Sequence, residues 1–134
     1  MTEHPKDIRW KQRFQNFERS YRLLEDTLRI KTPSEAERAG LIQFFEMTFE
    51  LGWKLMKDYL EEQGFTINSP KEAIKQAFRS EIIADGHGWI DALNDRNLTT
   101  HTYQEETAVN VEKKIRKDYF PLLQILYEQF KGKQ

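Results

Sequence analysis

Six large apolar residues near the start of the chain, Trp10, Phe14, Phe17, Tyr21, Leu24 and Leu28, recur at alternating steps of four and three. That spacing places all six on one face of an α-helix. A face so rich in aromatic rings must be buried against other helices, which makes this helix one wall of a bundle. Asp7 is the expected N-cap, and the helix should run to about Ile30. Thr32-Pro33 then closes it, because a residue before proline avoids the α region.

The remaining chain repeats this grammar. Ser34 and Glu37 form a capping box that opens a second helix. Leu41, Phe44, Phe45, Thr48, Leu51, Leu55, Met56 and Tyr59 follow on it. Gly64 is the expected stop, since glycine enters the left-handed conformation without a Cβ clash. Nearly continuous apolarity from Leu41 to Leu60 predicts a helix contacted on more than one side, at the centre of the bundle or between two copies.

Ser69-Pro70-Lys71-Glu72 opens a third helix, with Ser69 as cap, Pro70 at the first helical position and Glu72 reaching back. That short helix carries Ala73, Ile74, Ala77, Phe78 and Ile82. Asp85-Gly86 and Gly88 should loosen the chain before a second short piece with Trp89, Ala92 and Leu93. The last helix is expected from about Tyr103 to Phe130, with Ala108, Val111, Ile115, Tyr119, Leu122, Leu126 and Phe130 on its apolar stripe. Pro121 should kink or restart it. No strand-like alternation and no internal repeat is present. The expected fold is all-α: an antiparallel up-and-down four-helix-type bundle, one helix broken into two short pieces, forming a single domain over residues 1–134.

Bulk properties narrow the function. A chain of 134 residues, 38% hydrophobic and 32% charged, can bury a core and is not disordered. With 21 basic against 22 acidic residues the formal net charge is -1. Any contact with nucleic-acid phosphate must therefore be local. The absence of cysteine excludes disulfides and Cys-ligated zinc. No apolar run approaches the roughly 20 residues that span a bilayer, so no membrane association is expected. The first residues also lack an apolar signal core, which predicts a cytoplasmic protein.

The residues best suited to chemistry are concentrated in Arg96-Asn-Leu-Thr-Thr-His101-Thr-Tyr103. Within an unbroken helix Arg96 and His101 would point about 140° apart. However, Thr99, Thr100 and Thr102 weaken a helix interior and favour a break. Thr102 with Glu105 reads as another capping box, which sets His101 just before a helix N-terminus and Tyr103 in the first turn. Free N–H groups there attract an anion and disfavour imidazolium. A neutral His101 beside a phosphate held by Arg96 is what metal-free RNA cleavage needs. A complete acid–base pair would require a second copy of the chain, brought in by a two-fold axis. The same spacing also fits a plain helix junction, with Arg96 paired to Asp91, Asp95 or Glu105 and His101 capping or packing.

Other residues read more simply. Phe44, Phe45, Phe49 and Trp53 form an aromatic stripe suited to core or dimer packing. Glu46 and Glu50 read as a solvated pair rather than metal ligands, and Glu50 could instead orient Arg96 or His101 across the bundle. His87 should be exposed in a turn. Lys71, Lys75 and Arg79 share one face and suit an RNA path, an acidic partner or plain solvation. The same options hold for Lys113, Lys114, Arg116 and Lys117.

Three blocks carry a family resemblance: Phe44-Phe45-Glu46-Met47-Thr48-Phe49-Glu50-Leu51-Gly52-Trp53-Lys54, Ser69-Pro70-Lys71-Glu72-Ala73, and Asp95-Arg96-Asn97-Leu98 leading to His101. The last resembles the Arg-x4-His-x-Tyr motif of HEPN domains. In order, the three blocks resemble the nucleotidyltransferase substrate-binding group, in which a small HEPN protein is paired with a minimal nucleotidyltransferase. The resemblance implies a helical homodimer with the motif at its cleft and a toxin–antitoxin role. It implies a metal-independent endoribonuclease with no cofactor, cutting RNA with Arg96 and His101. Asn97 would help bind phosphate, and the partner would silence the enzyme by transferring AMP to Tyr103. A non-catalytic subunit that binds nucleotide or substrate for the transferase is the alternative the group's name implies.

Overall fold

The computed structural model describes residues 5–96 and 104–134. Helix α1 spans Pro5–Leu28 and α2 spans Glu35–Glu62. They are followed by two short helices, α3 (Pro70–Arg79) and α4 (Gly86–Asp95). The last limb is α5 (Glu105–Lys114), a π-helical turn (Ile115–Tyr119) and α6 (Phe120–Lys131). The architecture is the expected all-α bundle, with α3 and α4 as the two pieces of the broken helix.

The apolar face of α1 is buried as its spacing requires: Trp10, Phe14, Phe17, Tyr21 and Leu24 are all in the core. Each such side chain contributes on the order of 1.5–3 kcal/mol. Asp7 lies inside α1 instead of capping it, since the helix already starts at Pro5. Helix α2 packs against α1, α3, α5 and α6, which accounts for its unbroken apolarity. At its middle, a Cβ on Gly52 would lie 3.3 Å from Trp89, 3.4 Å from Leu126 and 3.5 Å from Phe17. Three helices therefore close onto α2 at a residue with no side chain. Beside this point Ser20 and Thr48 share a buried hydrogen bond of 2.7 Å. The buried Asp58 accepts from Arg13 Nε at 2.9 Å.

The helix ends follow local chemistry. Ser34 and Glu37 make the full capping box on α2. The end of α2 is a Schellman turn: Phe65 N–H donates to the Leu60 carbonyl and Gly64 N–H to Glu61, with Gly64 at φ 101°. A second such turn ends α3, where Ile82 N–H donates to Ala77 and Glu81 N–H to Phe78. There the left-handed position is held by Glu81, at φ 61°. Ser69 caps α3 as expected, while Glu72 reaches back to Asn68 N–H, one residue beyond the cap.

Other local details differ from expectation. Asp85-Gly86-His87-Gly88 is the capped start of α4, not a loosened turn: Asp85 Oδ1 accepts from Gly88 N–H at 2.8 Å. A Cβ on Gly88 would sit 2.5 Å from the Asp85 carboxylate, so glycine makes room for the cap. His87 is exposed there, as expected. Phe78, carried on α3 with Ala73, Ile74 and Ala77, is 52% exposed while those three are buried. The last limb begins at Glu105 with Gln104 as N-cap and no cap bond from the Gln104 side chain, while Thr102, expected in a capping box, lies outside the described residues.

Pro121 stands in the first turn of α6, directly after the π-helical turn, so the limb is interrupted where the proline was expected to act. Proline has no N–H to give, and its ring crowds the carbonyl four residues back. The helix widens for one turn instead, and Phe120 N–H reaches the Ile115 carbonyl five residues back.

Candidate functional site

Arg96 is the C-cap residue of α4. Its Nη1 donates to Glu50 Oε2 at 2.8 Å, an ion pair linking α4 to the centre of α2. The same carboxylate oxygen accepts from Trp53 Nε1 at 3.0 Å, and Lys54 Nζ lies 3.4 Å from the other oxygen. Burial pushes the Glu50 carboxyl up, but the Trp53 hydrogen bond and the Lys54 and Arg96 charges outweigh it. The net result holds the carboxyl below its ordinary range. Glu50 is thus an ionised acceptor that fixes the direction of the guanidinium. Arg96 keeps 35% of its side-chain surface exposed.

The residue before it is anchored from the opposite side. Asp95 Oδ2 accepts from Tyr119 Oη and from Lys114 Nζ, the latter at 3.0 Å. Tyr119 sits in the π-helical turn, and burial together with the Asp95 hydrogen bond pushes its phenol well above the usual tyrosine range. It is therefore a neutral donor. Asp95 and Arg96 point to different neighbours, which locks the last turn of α4 between α2 and the final limb.

A second clamp holds the start of α5. Arg38, on the first turn of α2, bonds the Glu105 carboxylate and donates through Nε to Glu112 Oε1 at 2.8 Å. The other Glu112 oxygen accepts from Arg116 Nε at 2.7 Å. Arg116 in turn donates to the carbonyls of Leu28 and Ile30, each at 2.7 Å, satisfying the open end of α1. Burial pushes the Glu112 carboxyl up, but hydrogen bonds from Arg38 and Arg116 bring it below the ordinary value.

Of the residues singled out in the sequence, Arg96 and Glu50 are brought together, as one reading of Glu50 anticipated. Asp95 and Glu105, the pairing partners anticipated for Arg96, are bound to Tyr119 with Lys114 and to Arg38. Asn97, His101 and Tyr103 lie outside the described residues. Arg38, Glu112 and Tyr119 escaped notice as site supports. The sole hint was Glu112 four residues before Arg116, a helical ion-pair spacing. Tyr119 was hidden by its place on an apolar stripe.

A helical bundle with a carboxylate-oriented arginine at the end of its fourth helix defines the class: a small all-α protein with a part-exposed, ion-paired arginine built into its scaffold. Residues 12–132 match the family described as nucleotidyltransferase substrate binding protein like, and the chain belongs to that family. A Thermus thermophilus protein of known structure is 31% identical with a TM-score of 0.77, covering 84% of this chain and 97% of that one. A Haemophilus influenzae structure, described as revealing the fold of a substrate binding domain of a nucleotidyltransferase, is 28% identical with a TM-score of 0.76. That likeness covers 88% of this chain and 98% of that chain. A curated Haemophilus influenzae protein named probable ribonuclease HepT is 35% identical over 78 residues, 54% of this chain. The match spans about half that relative, 53% of its length. Among the described residues, no helix is long and apolar enough to cross a membrane.

Proposed function

We propose that residues 1–134 act as one HEPN-type domain, a metal-independent endoribonuclease that works as a homodimer and is controlled by a partner nucleotidyltransferase. The observation carrying this reading is the Glu50–Arg96 pair at 2.8 Å, which aims a part-exposed guanidinium from the residue that opens the Arg-x4-His-x-Tyr motif. The family and the name of the Haemophilus relative support the same reading.

In this mechanism Arg96, with Asn97, binds the scissile phosphate. His101 takes the proton from the ribose 2′-hydroxyl, whose oxygen attacks phosphorus. The 5′-oxygen leaves with a proton supplied by the His101 of a second copy, and a 2′,3′-cyclic phosphate remains. Silencing would proceed by attack of the Tyr103 phenol oxygen on the α-phosphorus of ATP. The phenol proton is lost, pyrophosphate departs, and AMP stays on the tyrosine beside the RNA site.

The test is RNA cleavage by purified protein and its His101→Ala variant. Wild type should cut single-stranded RNA without added metal, and the variant should not, at unchanged thermal stability. Equal cutting by the variant refutes the assignment. A wild type that cuts nothing yet binds the transferase tightly would favour the second reading, a non-catalytic subunit, which the family's substrate-binding description supports. Mass spectrometry after co-expression with the transferase should find one adenylyl group on Tyr103.

A further inference from the structure

A groove of about 540 Å³ lies between α3 and α4, on a part of the molecule that the motif does not include. Ile74, Ala84 and Ile90 line it, with Lys75, Arg79 and His87 around them. Its volume falls within the range of small-ligand sites. Phe78 also lines the groove and is 52% exposed. A Cβ on Gly86 would lie 3.4 Å from the Phe78 ring, so the ring rests on the backbone of that glycine. One side of the ring is thereby supported while much of the remainder meets solvent.

The charge around this ring is mostly positive. Lys71, Lys75 and Arg79 stand on one exposed face of α3, and among the described residues none of them makes an ion pair. By contrast Arg13, Arg22, Arg38, Arg96 and Arg116 are all paired with carboxylates. Asp85, the one acid among the lining residues, accepts the Gly88 N–H through Oδ1. A supported aromatic ring flanked by unpaired cations is the arrangement that binds single-stranded nucleic acid: a base stacks on the ring and the cations hold its phosphates. An acidic peptide would use the cations but would leave the aromatic face unused.

We infer that the α3–α4 groove is a second binding site for single-stranded RNA, with Phe78 as the stacking platform and Lys75 and Arg79 as phosphate contacts. The occupant rests on the ribonuclease reading above. Helix α4 starts in this groove and is capped by Arg96, about 15 Å away along its axis. A short strand bound here is therefore delivered to the neighbourhood of the motif.

The test is fluorescence anisotropy with a labelled single-stranded oligoribonucleotide of mixed sequence, in a His101→Ala background so that cleavage does not interfere. Phe78→Ala should weaken binding about tenfold, within the range for loss of one stacked base. Lys75→Ala with Arg79→Ala should lower the slope of log K against log salt by about 1.4, from about 0.7 per phosphate contact. Arg19→Ala with Lys31→Ala, an equal charge loss elsewhere, should change neither quantity comparably. Binding unchanged by Phe78→Ala, or equally weakened by the control pair, overturns the inference. So does loss of transferase binding in the groove variants with RNA affinity intact. Failure of the ribonuclease reading would look different: groove-dependent RNA binding with no cleavage by the wild type.

Discussion

Replacing Glu112 with alanine should be among the most destabilising single changes in this protein. The residue is 9% exposed and its two oxygens each accept from a different arginine, Arg38 and Arg116. Removing one partner of a buried ionic network costs roughly 3–5 kcal/mol because the opposite charges stay desolvated. Arg116 keeps the Leu28 and Ile30 carbonyls and Arg38 keeps Glu105. The low end, about 3 kcal/mol, is therefore expected. In a chain of this size that lowers Tm by roughly 10 °C, measured by circular dichroism at neutral pH. The folded carboxyl titrates below its ordinary value of 4.5. Its contribution is thus complete above that pH and fades as the pH falls through the lowered folded value. The gap between wild type and Glu112→Ala should accordingly narrow in acid. A Tm loss under about 3 °C, or a gap that stays constant down to about pH 3, would refute the argument that this network is desolvated and ionised.

Two further outcomes follow from the geometry. Glu50→Gln removes the charge that aims Arg96; RNA cleavage should fall roughly tenfold to a hundredfold, while stability changes by no more than about 1 kcal/mol because the pair is part-exposed. A variant that cuts at the wild-type rate would show that Arg96 does not depend on α2. Glu81→Gly relieves a left-handed backbone worth about 1–2 kcal/mol, offset by about 0.4–1 kcal/mol of unfolded-chain entropy. A small rise in Tm is expected, and a fall would mean that the Glu81 side chain stabilises the turn more than its φ of 61° costs.

What could be read from the sequence was local. The α1 face, the Ser34–Glu37 box, the Ser69–Pro70 start and the Gly64 stop each depend on residues within a turn or two of one another. Two glycines around His87 misled, because an aspartate cap can require glycine two residues into the helix. Nor does the position of Phe78 on α3 reveal that the chain turns away at Glu81 and leaves the ring uncovered. The polar pairings that build the site join residues 46 positions apart for Glu50 with Arg96 and 67 for Arg38 with Glu105. No helical period links such residues, so Glu50 stood only as one option among several. Arg38 carried no signal at all.

Arg96 and Glu105, which flank the rest of the motif, are tethered to a single rod. Arg96 is fastened at Glu50 and Glu105 at Arg38, two stations about 18 Å apart along α2. That helix therefore serves as a ruler, setting the distance between the two fixed points.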